Sequence, residues 1–367
     1  VDGQPVFEDA SLLCYRLFDI ANEIDLERAH RLLSSETKRL KLGREGAEYL
    51  LMPNPPLGIE LGRRTLTLGD ARHEVEGSLR LFDHGAASVA LRVPIPKGTS
   101  LEALIPLADA LYDSQAVEAL CLELLNGLRP ALDPALEAPH LWEQTESYTV
   151  IHARKLEGDP PAQALLKADL ARLLLGERAV RLSPRERAEV TQHAFSYSES
   201  DLAVVDWNSA FVYEPSGSLD IPVVLDICNA QLLELRYYDD QLDRHIQETY
   251  TAMQRHARRP AMFSGPYKPL ARRVLVTLLD LSELIERVEN SLKIIGDFYL
   301  AKVYEAALVR LRVRAWQATV TRKQRLLQEV YGLIKGEIDS SRSFILEATV
   351  VILIVSEILV AIASLKP

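Results

Sequence analysis

The stretch His73–Pro94, "HEVEGSLRLFDHGAASVALRVP", decides how the first half of the chain folds. Val75, Leu79 and Leu81 alternate with Glu74, Glu76, Ser78 and Arg80. After Asp83-His84-Gly85 a second alternation sets Val89, Leu91 and Val93 against Ser88, Ala90 and Arg92. A side-chain period of two places each apolar set on one face of a strand, and the Asp-His-Gly step supplies a turn between them. The stretch predicts an antiparallel hairpin with one wet face.

Working outward, "LLCYRLFDI" (Leu12–Ile20) has strand character, and Leu26, Ala29, Leu32 and Leu33 then share a helical face. Thr99 and Glu102 stand at capping-box spacing at the start of a helical region. Ser147–Leu156 returns to strand, and Ser183, Pro184 and Glu186 supply an N-cap, a first-turn proline and a first-turn acid. "DLAVVDWNSAFVYEP" gives two short strands around Trp207-Asn208. This mixture predicts an α+β domain over residues 1–215, a mixed or antiparallel sheet with helices, open to division into two similar α/β units.

The pattern changes after "PSGSLDIP". Leu225, Cys228, Leu232, Leu235, Tyr238, Leu242, Ile246 and Met253 keep three- and four-residue spacing, and a Pro/Gly stretch, Arg258–Pro269, interrupts them. Leu281, Val288 and Leu292 resume the stripe as far as Tyr299. Residues 216–343 are therefore expected to form a long helical hairpin of coiled-coil type, pairing through Leu225, Leu232, Leu235, Leu242, Leu281, Val288 and Leu292. "VRLRVRAW" (Val309–Trp316) alternates like a strand but is taken as helix, since its flanks are helical. The acids Glu234, Asp239, Asp240 and Asp243 are expected on a solvated surface, with Arg236 and Arg244 pairing locally and Asp239 close to the apolar stripe.

Composition bounds the function classes. The chain has 367 residues, a net charge of -10 and a pI near 5.4, which argues against nucleic-acid binding by the whole surface. Locally the balance reverses: Arg310, Arg312, Arg314, Arg322, Lys323 and Arg325 form a basic flank, suited to an anionic membrane surface or, as an alternative, to RNA or a ribosome. Cys14, Cys121 and Cys228 are far apart and sit among apolar residues, so buried thiols in a reducing compartment are expected. The opening "VDGQPVFEDA" lacks the features of a secretory signal. No nucleotide-binding glycine pattern or metal-ligand spacing occurs, and no catalytic residue, cofactor, metal or small-molecule ligand is expected. The alternative is an enzyme using His152, His193 and Asp206 as an acid–base group.

The stretch Phe344–Leu365, "FILEATVVILIVSEILVAIASL", is almost wholly aliphatic but holds Glu347 and Glu357. As a helix it is about 33 Å long, against a bilayer core of about 30 Å. Two acids cost about 5–7 kcal/mol at central positions, and ten aliphatic residues return about 3–6 kcal/mol, so a lone helix inserts marginally. The two carboxylates are about 80° apart around the helix, close enough for both to face other copies. Residues 344–367 are thus expected to form a membrane and oligomer helix, with Val351, Leu353, Ile354 and Leu359 among its apolar surface. The bulk of the chain would lie on the cytoplasmic or matrix side of a bacterial cytoplasmic or mitochondrial inner membrane. The alternative is a soluble homo-oligomer with this helix in its core.

"LLQEVYGLIKGEIDSSRSFILEATVVILIVSEILVAI", with Leu346-Glu347 and Glu357, resembles the end of the "required for meiotic nuclear division" or YagE-like family in its bacterial form. "CYRLFDIANEIDLERAHRLL" is similar to that family's opening strand and helix, and "LDICNAQLLELRYYDDQLD" to the helix after its Asp-x-Pro turn. Residues 60–147 have no counterpart in that pattern. The resemblance implies a self-associating, membrane-anchored protein without a known reaction, whose mitochondrial relatives support translation.

Overall fold

A computed structural model describes residues 5–33, 37–39, 50–51, 54–257, 267–290, 293–294 and 298–364. The first elements are β1 (Val6–Asp19), β2 (Glu23–Ile24), α1 (Leu26–Leu32), β3 (Thr37–Arg39), β4 (Leu50–Leu51), β5 (Leu57–Leu68), β6 (Ala71–Leu81), β7 (Ala86–Ile95) and β8 (Thr99–Ser100). Helices α2 (Leu101–Leu111) and α3 (Gln115–Leu132) lead to β9 (Leu136–Glu137) and β10 (Glu146–Leu156). Then come α4 (Ala162–Lys167), α5 (Leu170–Leu175), α6 (Pro184–Val190), β11 (Ala194–Phe195), β12 (Leu202–Val205) and β13 (Ser209–Tyr213). The remainder is α7 (Asp220–Ala257), α8 (Tyr267–Asn290), β14 (Lys293–Ile294), α9 (Phe298–Arg310) and α10 (Val313–Ser364). The fold is the expected mixed sheet with helices, followed by long helices.

Ten strands make one sheet in the order β11-β12-β13-β10-β1-β7-β6-β5-β3, with β8 beside the start of β1. The β10–β13 pair is parallel, and the other pairs in this sheet are antiparallel. The hairpin expected from His73–Pro94 is β6–β7, in register from Leu81 opposite Ala87 to Glu76 opposite Arg92. Its turn needs Gly85: φ is 107°, and a Cβ there would meet the Ala21 carbonyl oxygen at 1.9 Å.

The central strand β1 is buried from Ala10 to Asp19 because both of its faces are covered. Leu12, Cys14 and Phe18 join the core made with α2, α3 and α5. On that side Arg16, 1% exposed, donates to the Leu111 carbonyl at the end of α2. Burial pushes the Cys14 and Cys121 thiols up to about 11 and about 12, so both stay protonated. Leu13, Tyr15 and Leu17 alternate onto the opposite face, where α7 lies.

From Ile221 to Leu235 α7 is buried on every side, as a core helix is, yet it carries Asp226, Asn229, Gln231 and Glu234 inside. Each acid finds a partner on the β6–β7 hairpin. Asp226 pairs with Arg80 and accepts from Ser88 Oγ at 2.6 Å, while Glu234 Oε1 lies 3.5 Å from His84 Nδ1. Asn229 closes onto the Leu225 carbonyl at 2.8 Å, and Gln231 donates to Tyr304 of α9 at 3.1 Å. Burial pushes the Asp226 carboxyl above its ordinary value, with Arg80 and Ser88 offsetting part of that rise. The hairpin's second face is therefore not wet along its length, since α7 covers Ser88 and half-covers Arg80.

Two further local expectations are corrected. Ser100 rather than Thr99 caps α2, accepting from Ala103 N, while the Thr99 hydroxyl donates to the Pro96 carbonyl. Glu234 is buried rather than solvated, and Arg236 pairs with Glu146 of β10 rather than with a neighbour on its own helix. Arg244 does pair locally, with Asp240 at 2.8 Å. Ser183 caps α6 as expected, accepting from Glu186 N at 3.1 Å. Val309–Trp316 is helical except at a break, where Arg312 takes φ 57° between α9 and α10.

The chain forms two compact units, Val1–Tyr237 with Arg287–Trp316, and Tyr238–Glu286 with Gln317–Pro367. The first holds the sheet. In the second, α7, α8 and α10 pack through Leu242 and Thr249, through Leu270, Val274 and Leu278, and through Val320, Leu327, Val330, Ile334 and Ile338.

Removing Asp226 leaves Arg80 facing a half-buried site without its carboxylate. Asp226→Ala is expected to lower unfolding free energy by about 3–5 kcal/mol. Arg63→Ala, which breaks the exposed Arg63–Glu76 pair, should change it by no more than about 1 kcal/mol. Urea titrations of both variants check this.

Candidate functional site on the projecting apolar helix

The seam of α10 runs Val320, Leu327, Val330, Ile334, Ile338 and Ser341, at helical spacing, and it ends there. Lys323 fixes this part of α10 to α7 by two ion pairs, 2.7 Å to Asp239 Oδ1 and 2.7 Å to Asp243 Oδ1. Asp239, close to the apolar stripe, makes this contact half-buried.

Beyond Ser341 the helix continues to Ser364 while its surroundings stop. From Arg342 to Val360 every residue is exposed except Ala348, which is half-buried. The large apolar side chains from Phe344 to Val360 are between 45% and 69% exposed, Val351, Leu353, Ile354 and Leu359 among them. Glu347 and Glu357 are exposed as well. The hydroxyls in this stretch turn back on their own helix, Thr349 donating to the Ile345 carbonyl at 2.8 Å and Ser356 to the Leu353 carbonyl at 2.7 Å. That is how hydroxyls are satisfied where water is absent. The helix is long and apolar enough to cross a membrane, and none of its apolar window is buried.

The basic flank does not form one cluster. Arg310 binds Asp206 at 2.5 Å and reaches Glu189 at 3.9 Å, and Arg314 pairs with Glu305. Arg312, Arg322 and Arg325 are exposed and make no ion pair among the described residues. In the pairing stripe, Leu225, Leu232 and Leu235 are buried in the sheet unit and Leu242 in the helical unit. Leu281 and Val288 fall within α8, but their side chains lie outside the described set, and Leu292 lies outside the described residues.

His152, His193 and Asp206 do not converge on one site. His152 is buried in β10 with Nε2 3.1 Å from the Ser218 carbonyl oxygen, and its charged neighbours are Arg92, Glu214 and Arg154. His193 has Arg310 and Asp206 as its neighbours instead. Asp206 is fully buried and held by Arg310. Among the described residues no three or more histidine, cysteine, aspartate or glutamate side chains are placed to hold a metal ion.

One polar constellation is invisible in the sequence spacing. His140 Nε2 lies 2.9 Å from Asp19 Oδ1, its ring stacks on Tyr237 at 4.9 Å, and Trp142 meets Tyr237 edge-on at 5.7 Å. Burial works against a charged His140, but the bond and charge of Asp19 outweigh it and raise the imidazole above its ordinary value. Its members come from β1, the loop after β9 and α7, so no local motif announces it.

Residues 9–219 match the family model described as "Uncharacterized protein MJ0711, N-terminal domain". The chain belongs to the MJ0711 family. The match covers more than half of the chain and takes in most of the large sheet, β1 to β13. A relative, uncharacterized protein MJ0711 of Methanocaldococcus jannaschii, is 24% identical over 178 residues, 48% of this chain and 54% of that protein. The chain thus spans about half the length of the curated relative it matches. No solved structure matches the chain.

This MJ0711 assignment overturns the resemblance to the "required for meiotic nuclear division" family. The matched span includes residues 60–147, for which that resemblance had no counterpart. The misleading signal was a Leu-Glu step and a second glutamate in an aliphatic run, a pattern that low-complexity apolar helices share without common ancestry. The link to translation falls with it.

Burial is the largest influence on His152 and holds its imidazole below the ordinary value of 6.5. The unfolded chain therefore takes up a proton first as pH falls, and stability present above that value is lost below it. The urea midpoint is expected to drop between about pH 7 and pH 5, and to drop less in His152→Gln. His193, lowered in the same direction, keeps part of the slope in that variant.

Proposed function

We propose that this MJ0711-family chain is a non-enzymatic, membrane-anchored, self-associating binding protein. The observation that carries this is the stretch Phe344–Val360, whose large apolar side chains are exposed on all sides of one helix. A contiguous apolar surface of this kind is unfavourable in water and marks a lipid or protein environment. Its hydroxyls already bond within the helix, which leaves only Glu347 and Glu357 as groups that resist lipid.

Those two acids argue for company. Insertion of a single copy is close to balanced, and shelter of the carboxylates between copies tips it toward the membrane. Arg322 and Arg325, which make no ion pair among the described residues, and Arg342 nearer the span suit an anionic leaflet on the side that retains positive charge. The sheet unit is then the part that meets a partner in the aqueous phase. A soluble oligomer that buries the same helix is the competing reading, and the experiment separates the two.

Expressed full-length protein should float with lipid vesicles, resist extraction at high salt and alkaline pH, and run as an oligomer in mild detergent. A version ending at Ser343 should be water-soluble, with a thermal midpoint within about 2 °C of the full chain in detergent, because Phe344–Val360 is exposed but for half-buried Ala348. Full-length protein that stays monomeric and soluble without detergent defeats the proposal. Release by salt alone with the oligomer intact selects the soluble assembly.

A further inference from the structure

Where α7 begins, a small cavity of 90 Å³ lies between the helix and the sheet. Leu219 and Val223 close it from the helix side. Tyr15, Ser78, Arg80 and Arg92 reach it from β1, β6 and β7. These are neighbouring strands in the sheet, so the four polar side chains share one face by register rather than by sequence proximity.

The charge at this place is not closed. Asp226 takes up Arg80, but Arg80 Nε is buried with no hydrogen-bond partner among the described residues. Arg92 makes no ion pair among the described residues, although its charge acts on both Tyr15 and His152. Tyr15 is only 4% exposed, and its hydroxyl has no protein hydrogen bond among the described residues. The Tyr15 side chain and the half-buried Arg92 line one cavity, and beside them Arg80 Nε is a buried donor without an acceptor among the described residues. The competing charge at this place is the Asp226 carboxylate, which acts on Tyr15 and is taken up by Arg80 and Ser88.

We infer that this cavity binds the oxyanion end of a small ligand, a carboxylate or phosphate group, with the Arg92 guanidinium and the Tyr15 hydroxyl as the donors that hold it. The chemistry is shared by both anions: a guanidinium fork and a hydroxyl converge on negatively charged oxygens. The volume suits such a small group and is well below the roughly 300 Å³ of a pocket for a drug-sized ligand. Ser78 stands at the rim of the same cavity as a further donor. The site is in the sheet unit and does not depend on the membrane reading of α10.

The test uses full-length protein in neutral detergent, titrated with inorganic phosphate and separately with acetate at constant ionic strength. Calorimetry and the thermal midpoint serve as readouts. Saturable, one-to-one binding of one of the anions is expected, and which anion saturates assigns the group. Arg92→Ala should weaken it at least tenfold, and Tyr15→Phe, which keeps the ring and its packing, about fivefold. Arg92→Lys covers the case in which the alanine variant fails to fold, and it should also lose most of the affinity because the fork is gone. Arg63→Ala should bind as the parent does. Absence of saturable binding by both anions overturns the assignment, as does equal affinity in the Tyr15→Phe and parent proteins.

Discussion

The structure depends on a helix that carries charge into the interior. Residues Ile221–Leu235 of α7 are surrounded by protein, and Asp226 and Glu234 sit two turns apart on that stretch. An unpaired carboxylate in such a place would be prohibitive. The sheet answers with a matching set from one hairpin: Arg80 and Ser88 for Asp226, and His84 for Glu234. The helix can therefore lie on that face in one register only, since a shift by one turn would separate both acids from their partners. Such pairs add little net stability compared with apolar contacts, but they select one arrangement out of many.

That selection positions the rest of the sheet unit. With α7 fixed, α9 packs against it through Tyr304 and Gln231, and Arg310 at the end of α9 reaches back to Asp206 beside β12. The same placement of α7 roofs the small cavity over Tyr15 and Arg92. The long helices then hold together by apolar seams and by Lys323, and one of them runs on past its last packed residue, Ser341, as an uncovered apolar rod. The sheet unit pairs its charges in the interior, whereas α10 presents an exposed apolar surface past Ser341.

Much of this was legible in the sequence because it rests on periodicity. The alternation around Asp83-His84-Gly85 gave the β6–β7 hairpin, the three- and four-residue spacing after Asp220 gave α7, and Ser183-Pro184 gave the start of α6. The aliphatic run after Phe344 gave an apolar helix of membrane length. Local choices failed where two neighbours could do the same job. Thr99 and Ser100 are both capping residues, and only the backbone trajectory from β8 into α2 gives the role to Ser100. Glu234 looked solvated because a single helix cannot reveal that His84, far away in the chain, will be brought against it.

The sequence by itself determined the class of the segments with a clear period, because helix and strand periods, turn chemistry and a long apolar run are local properties. Tertiary structure alone decided which polar residues meet. The pairing of Asp226 with Arg80, of Asp19 with His140 and of Asp206 with Arg310 crosses more than a hundred residues in each case. It also decided that Tyr15 and Arg92 share a cavity, while His152 has surroundings separate from those of His193 and Asp206. The physical reason is that burial and hydrogen bonding depend on distance in space, and a folded chain sets that distance through packing of faces rather than through order along the backbone.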